Sequence, residues 1–131
     1  MTGFAEIEIV TLFVEDLDAA RTFYVDVLDT EVVYADEAST VLKFSNILFN
    51  LLQVDNAATL VEPTVVGGPS SGARALWTIM VDDADSAYAE LTKRGATFLN
   101  GPVDRPWGRR TAAFADPAGN VWEIAAVIPE S

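Results

Sequence analysis

The segment Val14-Glu15-Asp16-Leu17-Asp18-Ala19-Ala20 returns 67 positions later as Val81-Asp82-Asp83-Ala84-Asp85-Ser86-Ala87. Each copy closes an apolar run and opens an amphipathic one, so the chain reads as two similar strand-helix-strands modules in tandem. That internal symmetry constrains the fold more than any other feature, and it suggests a cavity shared by the two halves.

In the first module, Ile7 to Val14 is rich in β-branched residues and reads as a strand. Asp16 stands where an N-cap is expected. After it, Leu17, Ala20, Phe23, Tyr24, Val27 and Leu28 recur at the spacing of one buried helix face, with Asp18 near the positive end of the helix dipole. Glu31 to Tyr34, Val41 to Phe44 and Ile47 to Val54 read as three further strands, separated by turns at Asp36-Glu37-Ala38-Ser39 and Ser45-Asn46. From Asp55 to Ala73 the periodicity stops. Pro63, Gly67, Gly68, Pro69, Ser70, Ser71 and Gly72 mark an exposed connection there.

The second module repeats the order. Leu76 to Val81 reads as a strand, and Asp83 caps a helix that buries Ala84, Ala87, Tyr88 and Leu91. The helix stops at Arg94-Gly95, where the glycine is free to take a left-handed cap. Thr97 to Leu99, Thr111 to Ala115 and Val121 to Val127 supply the remaining strands. The expected fold class is α+β. Two tandem βαβββ modules, about 4–56 and 74–128, are joined by a connection over 57–73 and form one domain over 1–131.

Half of the residues are hydrophobic, so 131 residues suffice for one well-packed core. Cysteine is absent, which excludes disulfides, thiolate metal sites and a cysteine nucleophile. Histidine is absent too, and with it the commonest general base and transition-metal ligand. Eight Lys plus Arg against 20 Asp plus Glu leave a net charge of -12, which repels phosphate backbones and anionic membranes. Neither nucleic acid nor a membrane is an expected partner. With no basic n-region at Met1 to Glu6 and no long apolar stretch, a soluble cytoplasmic protein is expected.

Several segments carry a family resemblance. They are the repeated modules, the Phe23-Tyr24 pair, the Arg94-Gly95 helix end, the run Arg105-Pro106-Trp107-Gly108-Arg109-Arg110, and Asp116-Pro117-Ala118-Gly119-Asn120-Val121-Trp122-Glu123-Ile124. The chain resembles the vicinal oxygen chelate superfamily of glyoxalase I, extradiol dioxygenases, antibiotic-inactivating enzymes and bleomycin resistance proteins. The resemblance implies a curved mixed sheet around a cleft, with helices on the convex side, and a homodimer. In metal-dependent members two ligands project from each module, one in its first strand and one in its last. The corresponding positions here are Ile9, Leu76, Asn50 and Glu123. Ile9 and Leu76 have no donor atom, so this set cannot hold a tightly bound Zn, Ni or Fe centre; a hard ion such as Mg²⁺ would have only Glu123, Asn50 and waters. Neither a metal nor another cofactor is expected.

Strand alternation extends the cleft reading. With Ile9 inward, Ile7, Thr11 and Phe13 accompany it, and Leu48 and Leu52 flank Asn50. Across the cleft lie Leu76, Thr78 and Met80, with Val121 and Ala125 beside Glu123. This mostly apolar lining suits a small hydrophobic or aromatic molecule. The same parity sends Trp77 and Trp122 to the helix side, as core. Trp107, in a Pro-Trp-Gly turn beside Arg105, Arg109 and Arg110, is placed to cover one mouth of the cleft, and Arg109 is a candidate ligand contact. These arginines either bind a carboxylate or phosphate or pair with the protein's own acids.

Glu123 has two readings: a cleft carboxylate that takes a proton or a cationic ligand group, or a structural carboxylate neutralised by an arginine or backbone donors. Ser39, Ser45, Ser70, Ser71 and Ser86 have no histidine to activate them. The sequence thus favours a metal-free binding protein that sequesters an aromatic or cationic antibiotic, like the bleomycin resistance group. The alternative is a glyoxalase-like lyase or isomerase, or another enzyme, with Glu123 as its catalytic residue. A purely interacting subunit is the third class.

Overall fold

The computed structural model describes residues 3–129; Met1 and Thr2 of the N-terminal reading, with Glu130 and Ser131, lie outside the described residues. The first module contains β1 (Ile9–Val14), α1 (Leu17–Asp26), β2 (Glu31–Ala35), β3 (Ser39–Lys43) and β4 (Leu48–Gln53). The connection holds a four-residue helix, α2 (Ala58–Val61), between two short 3-10 turns. The second module contains β5 (Leu76–Met80), α3 (Ala84–Lys93), β6 (Phe98–Asp104), β7 (Arg109–Ala115) and β8 (Val121–Val127). Two four-stranded mixed sheets result, ordered β1-β4-β3-β2 and β5-β8-β7-β6. In each, the first strand runs parallel to the last and the remaining pairs are antiparallel. This is the expected α+β fold of two tandem βαβββ modules. No described helix is long and apolar enough to cross a membrane.

The repeated acidic segment does the same work in both halves. Asp16 accepts from the Ala19 amide and Asp83 from the Ser86 amide, both at 3.1 Å, so each satisfies one of the orphan donors at its helix start. Asp18 and Asp85 lie in the first turns. At the far end of α3, Gly95 takes φ +113° and its amide bonds the Thr92 carbonyl.

The helices α1 and α3 pack on their own modules' sheets and join both sheets in one core. Leu12 and Val14 of β1, Leu42 of β3, Phe49 and Leu51 of β4, Phe114 of β7, and Trp122 and Ile124 of β8 join Tyr24 and Leu91 of the helices in one core. The modules meet there through aromatic rings: Phe44 stacks on Trp122 at 5.5 Å and 12°, and Phe49 meets Trp77 edge-on at 5.2 Å.

A polar lock crosses this core. The buried Tyr24 hydroxyl donates to Asp116 at 2.6 Å and accepts from the Trp122 indole at 2.9 Å, joining α1 to the β7–β8 turn of the other module. Asp116 also accepts from the Ala118 and Asn120 amides and the Asn120 side chain, each at 2.9 Å, so this buried carboxylate has four donors. The turn tightens further at Gly119, whose φ is +91° and whose amide bonds the Asp116 carbonyl. The Asp-Pro-Ala-Gly-Asn segment therefore folds around its own aspartate and presents it to Tyr24.

Some element bounds differ from expectation. Ile7 precedes β1 and is exposed. β6 runs to Asp104 rather than ending at Leu99, through Gly101-Pro102. A sheet tolerates Pro on an edge strand, and here the register with β7 shifts around these residues. Gly101, at φ +88°, lies so close to β7 that a Cβ would sit 2.4 Å from the Thr111 carbonyl oxygen. The 55–73 connection is not wholly irregular or exposed either: it contains α2, and Ala57 is fully buried.

Tyr24→Phe is expected to cost about 2 to 4 kcal/mol, because it removes a bond to a buried carboxylate and leaves the Trp122 indole unmet. Burial, and after it Asp116, push the Tyr24 phenol far above its ordinary 10.0. The folded protein therefore holds this proton while the unfolded chain releases it above about pH 10, so the stabilisation is full below that pH and declines above it. Urea midpoints measured across the alkaline range should fall more steeply with pH in the wild type than in Tyr24→Phe.

Candidate functional site

Because alternate residues of β1, β4, β5 and β8 enter the shared core, their neighbours lie on the opposite faces of the sheets. Ile9, Thr11, Phe13, Leu48, Asn50 and Leu52 share the outward face of the first sheet; Leu76, Thr78, Met80 and Glu123 share that of the second. These residues belong to two sheets that share one core, and outward residues of both, Thr11 and Phe13 with Val121, line one cavity. In register, Thr11 lies beside Asn50 and Thr78 beside Glu123, which makes Asn50 and Glu123 equivalent positions of the two modules.

The chemistry at those positions differs. Glu123, half-buried, accepts from the Thr78 hydroxyl at 2.8 Å. Neither an arginine nor a backbone N–H pairs with it among the described residues. The Asn50 side-chain carbonyl is buried without a hydrogen-bond partner among the described residues. It lies between Thr11 and Val41 of the neighbouring strands.

Two cavities flank Trp77 at the seam between the modules. One, of about 380 Å³, has walls from Thr11 and Phe13 of β1, Arg74 of the connection, and Asn120 and Val121 of the second module. The other, of about 520 Å³, is walled by Thr78 and Met80 of β5, Ser45 and Asn46 of the β3–β4 turn, and Phe49. Trp77 lines both. The sequence reading assigned it to the core, where its ring does pack on Phe49 and Trp122. β5 is an edge strand, however, which leaves the other side of the ring next to open space. Arg74, Ser45, Asn46 and Asn120 were not anticipated as wall residues, since loop positions carry no periodicity to mark them. Ile9, Leu48, Asn50, Leu52 and Leu76 line neither cavity.

The arginine-rich hairpin separates into distinct roles. Arg110 pairs with Asp85 at 3.0 Å and with Asp104 at 2.9 Å, holding β7 to the start of α3 and to β6; these acids raise its already high pKa. Arg105 donates to Thr111 at 3.0 Å and to Asn100 at 3.4 Å. Arg109 is half-buried and has no charged partner among the described residues. Trp107, at the hairpin tip, is 69% exposed and lines neither cavity beside Trp77.

A profile of the Glyoxalase/Bleomycin resistance protein/Dioxygenase superfamily matches residues 6–124. The chain belongs to this superfamily. No curated protein matches it. Among solved structures, a glyoxalase/bleomycin resistance protein/dioxygenase from Nocardioides is 24% identical over 100% of this chain and 89% of its own, with a TM-score of 0.85. TnmS3, an antibiotic binding protein from Streptomyces sp. CB03234, is 25% identical over 97% and 99%, with a TM-score of 0.73. A lactoylglutathione lyase from Agrobacterium tumefaciens is 22% identical over 95% of each chain, with a TM-score of 0.75.

The metal of the metal-dependent superfamily members does not fit the donors present here. Ile9 and Leu76 offer carbon only, and among the described residues no three His, Cys, Asp or Glu side chains converge. An orphaned buried carbonyl also contributes little to the fold of the free protein. Asn50→Leu should leave the unliganded protein as stable as the wild type or up to about 1 kcal/mol more stable, read from urea midpoints.

Proposed function

We propose that this superfamily member is a metal-free small-molecule-binding protein whose ligand is an aromatic or cationic compound of the antibiotic type. The observation that carries this reading is the replacement of donor atoms by aliphatic side chains at Ile9 and Leu76, on sheet faces that otherwise present Thr11, Phe13, Leu48, Leu52, Thr78 and Met80. Such walls hold a ligand by burial and stacking, with Asn50 and Glu123 as polar anchors. Trp77 supplies an aromatic surface to both seam cavities. Trp107 and Arg109 complete the proposed set of contacts. The likeness to TnmS3, named as an antibiotic binding protein, supports the reading.

Asn50 and Glu123 stand on different sheets and line neither seam cavity, so a second copy is the proposed source of the opposing wall. The free edges of β1 and β5, with Leu76 49% and Met80 79% exposed, supply unpaired backbone and apolar surface for that contact. A homodimer follows. Met80→Asp should shift the sedimentation coefficient to that of a monomer while the circular dichroism spectrum stays folded; a wild-type monomer would overturn this arrangement.

The enzymatic reading rests on Glu123. Its half-buried carboxylate has one side-chain partner among the described residues, Thr78, and would serve as the proton-transfer group. This would make the chain a glyoxalase-like lyase or isomerase working without a resident metal.

A tryptophan-fluorescence titration with a bleomycin-type antibiotic, with and without chelator, separates these readings. Saturable, chelator-insensitive quenching at micromolar Kd or tighter is expected, and Glu123→Gln should weaken it by about tenfold or more. A flat titration removes the antibiotic reading and leaves turnover of glyoxalase-type substrates, compared between wild type and Glu123→Gln, as the test of catalysis.

A further inference from the structure

A third cavity, of about 360 Å³, opens at the module seam on the helix side. It shares Phe44 and Ile79 with the 520 Å³ cavity, and its remaining lining residues are its own. Its floor is apolar: Phe44 from the end of β3, Ile79 and Ile124 from the second sheet, and Leu91 from α3. Four charged side chains ring it: Asp29, Lys43, Glu90 and Arg94.

Two of these four are engaged. Arg94 donates to Glu90 at 2.9 Å and to the Val27 carbonyl at 3.1 Å, which ties α3 to the end of α1. The side chains of Asp29 and Lys43 make no hydrogen bond or ion pair among the described residues. Glu31 stands opposite Lys43 in the β2–β3 register without closing an ion pair. Asp29 has φ +55°, a left-handed turn after α1 that aspartate and asparagine tolerate; this accounts for its backbone and leaves its carboxylate free. The rim thus offers one free ammonium and one free carboxylate above an apolar floor.

We propose that this cavity binds a small zwitterion with an apolar side chain, the chemistry of a free α-amino acid such as leucine or phenylalanine. The ligand's carboxylate meets Lys43, its ammonium meets Asp29, and its side chain rests on Phe44, Ile79, Leu91 and Ile124. A zwitterion uses both free charges at once. Being neutral overall, it also avoids the repulsion that a simple carboxylate meets from a chain of net charge -12. The volume lies within the range of small-molecule sites.

The test is a calorimetric titration of the full chain with L-leucine and L-phenylalanine, followed by methyl NMR mapping. Saturable binding is expected, with shifts at Ile79, Leu91 and Ile124. The N-acetyl and methyl ester forms, which each delete one charge, should bind about tenfold or more weakly. Lys43→Met and Asp29→Asn, the latter keeping the left-handed turn, should reproduce that loss with circular dichroism unchanged. The absence of saturable binding overturns the proposal. So do blocked analogues that bind as well as the parent compounds, or shifts confined to the outward faces around Met80 and Leu48.

Discussion

The contact on which this architecture depends is the hydroxyl of Tyr24. It donates to Asp116 and accepts from Trp122, inside a core where an unpaired phenol, carboxylate or indole N–H would each be costly. All three groups are satisfied only when α1 of the first module lies against the β7–β8 turn and β8 of the second. Apolar packing alone would allow the two helix-bearing faces to slide past one another, because burial has no preferred direction. The hydrogen bonds, together with the stacked Phe44 and Trp122 rings, select one relative placement.

That placement determines what the outer surfaces can do. Once the helix side of both sheets is committed to a common core, the remaining faces are left for ligands or for another protein. The second module keeps a carboxylate and a hydroxyl in contact at the position where the first keeps an amide and a hydroxyl apart. The register makes Asn50 and Glu123 equivalent positions, and their side chains differ in charge and in partner. The seam cavities follow from the same geometry, since two curved sheets meeting through a few large rings leave space beside those rings.

Much of this was legible in the chain. The repeat, the Asp16 and Asp83 caps, the Gly95 helix end and the alternation of β1, β4, β5 and β8 are encoded by residues a few positions apart, whose periodicity survives without knowledge of their partners. Trp122 was correctly assigned to the core for that reason. β6 extends past Leu99 to Asp104 because an edge strand with a register shift absorbs Gly101-Pro102, which no local periodicity signals. Trp77 shows a different limit: alternation gives the face of a residue but not whether that face ends at a cavity.

The sequence by itself determined the two modules, the order of their elements, the side of each strand on which a residue lies, and the absence of donors at Ile9 and Leu76. Only the tertiary structure decided where the Tyr24 hydroxyl goes, that Arg110 is committed to Asp85 and Asp104, that Asp29 and Lys43 have no side-chain partner among the described residues, and which outward residues reach the cavities beside Trp77. The physical reason is separation along the chain. Local patterns are written by neighbours, but the Tyr24 bonds join residues 92 and 98 positions apart, and no periodicity in either segment specifies its distant partner.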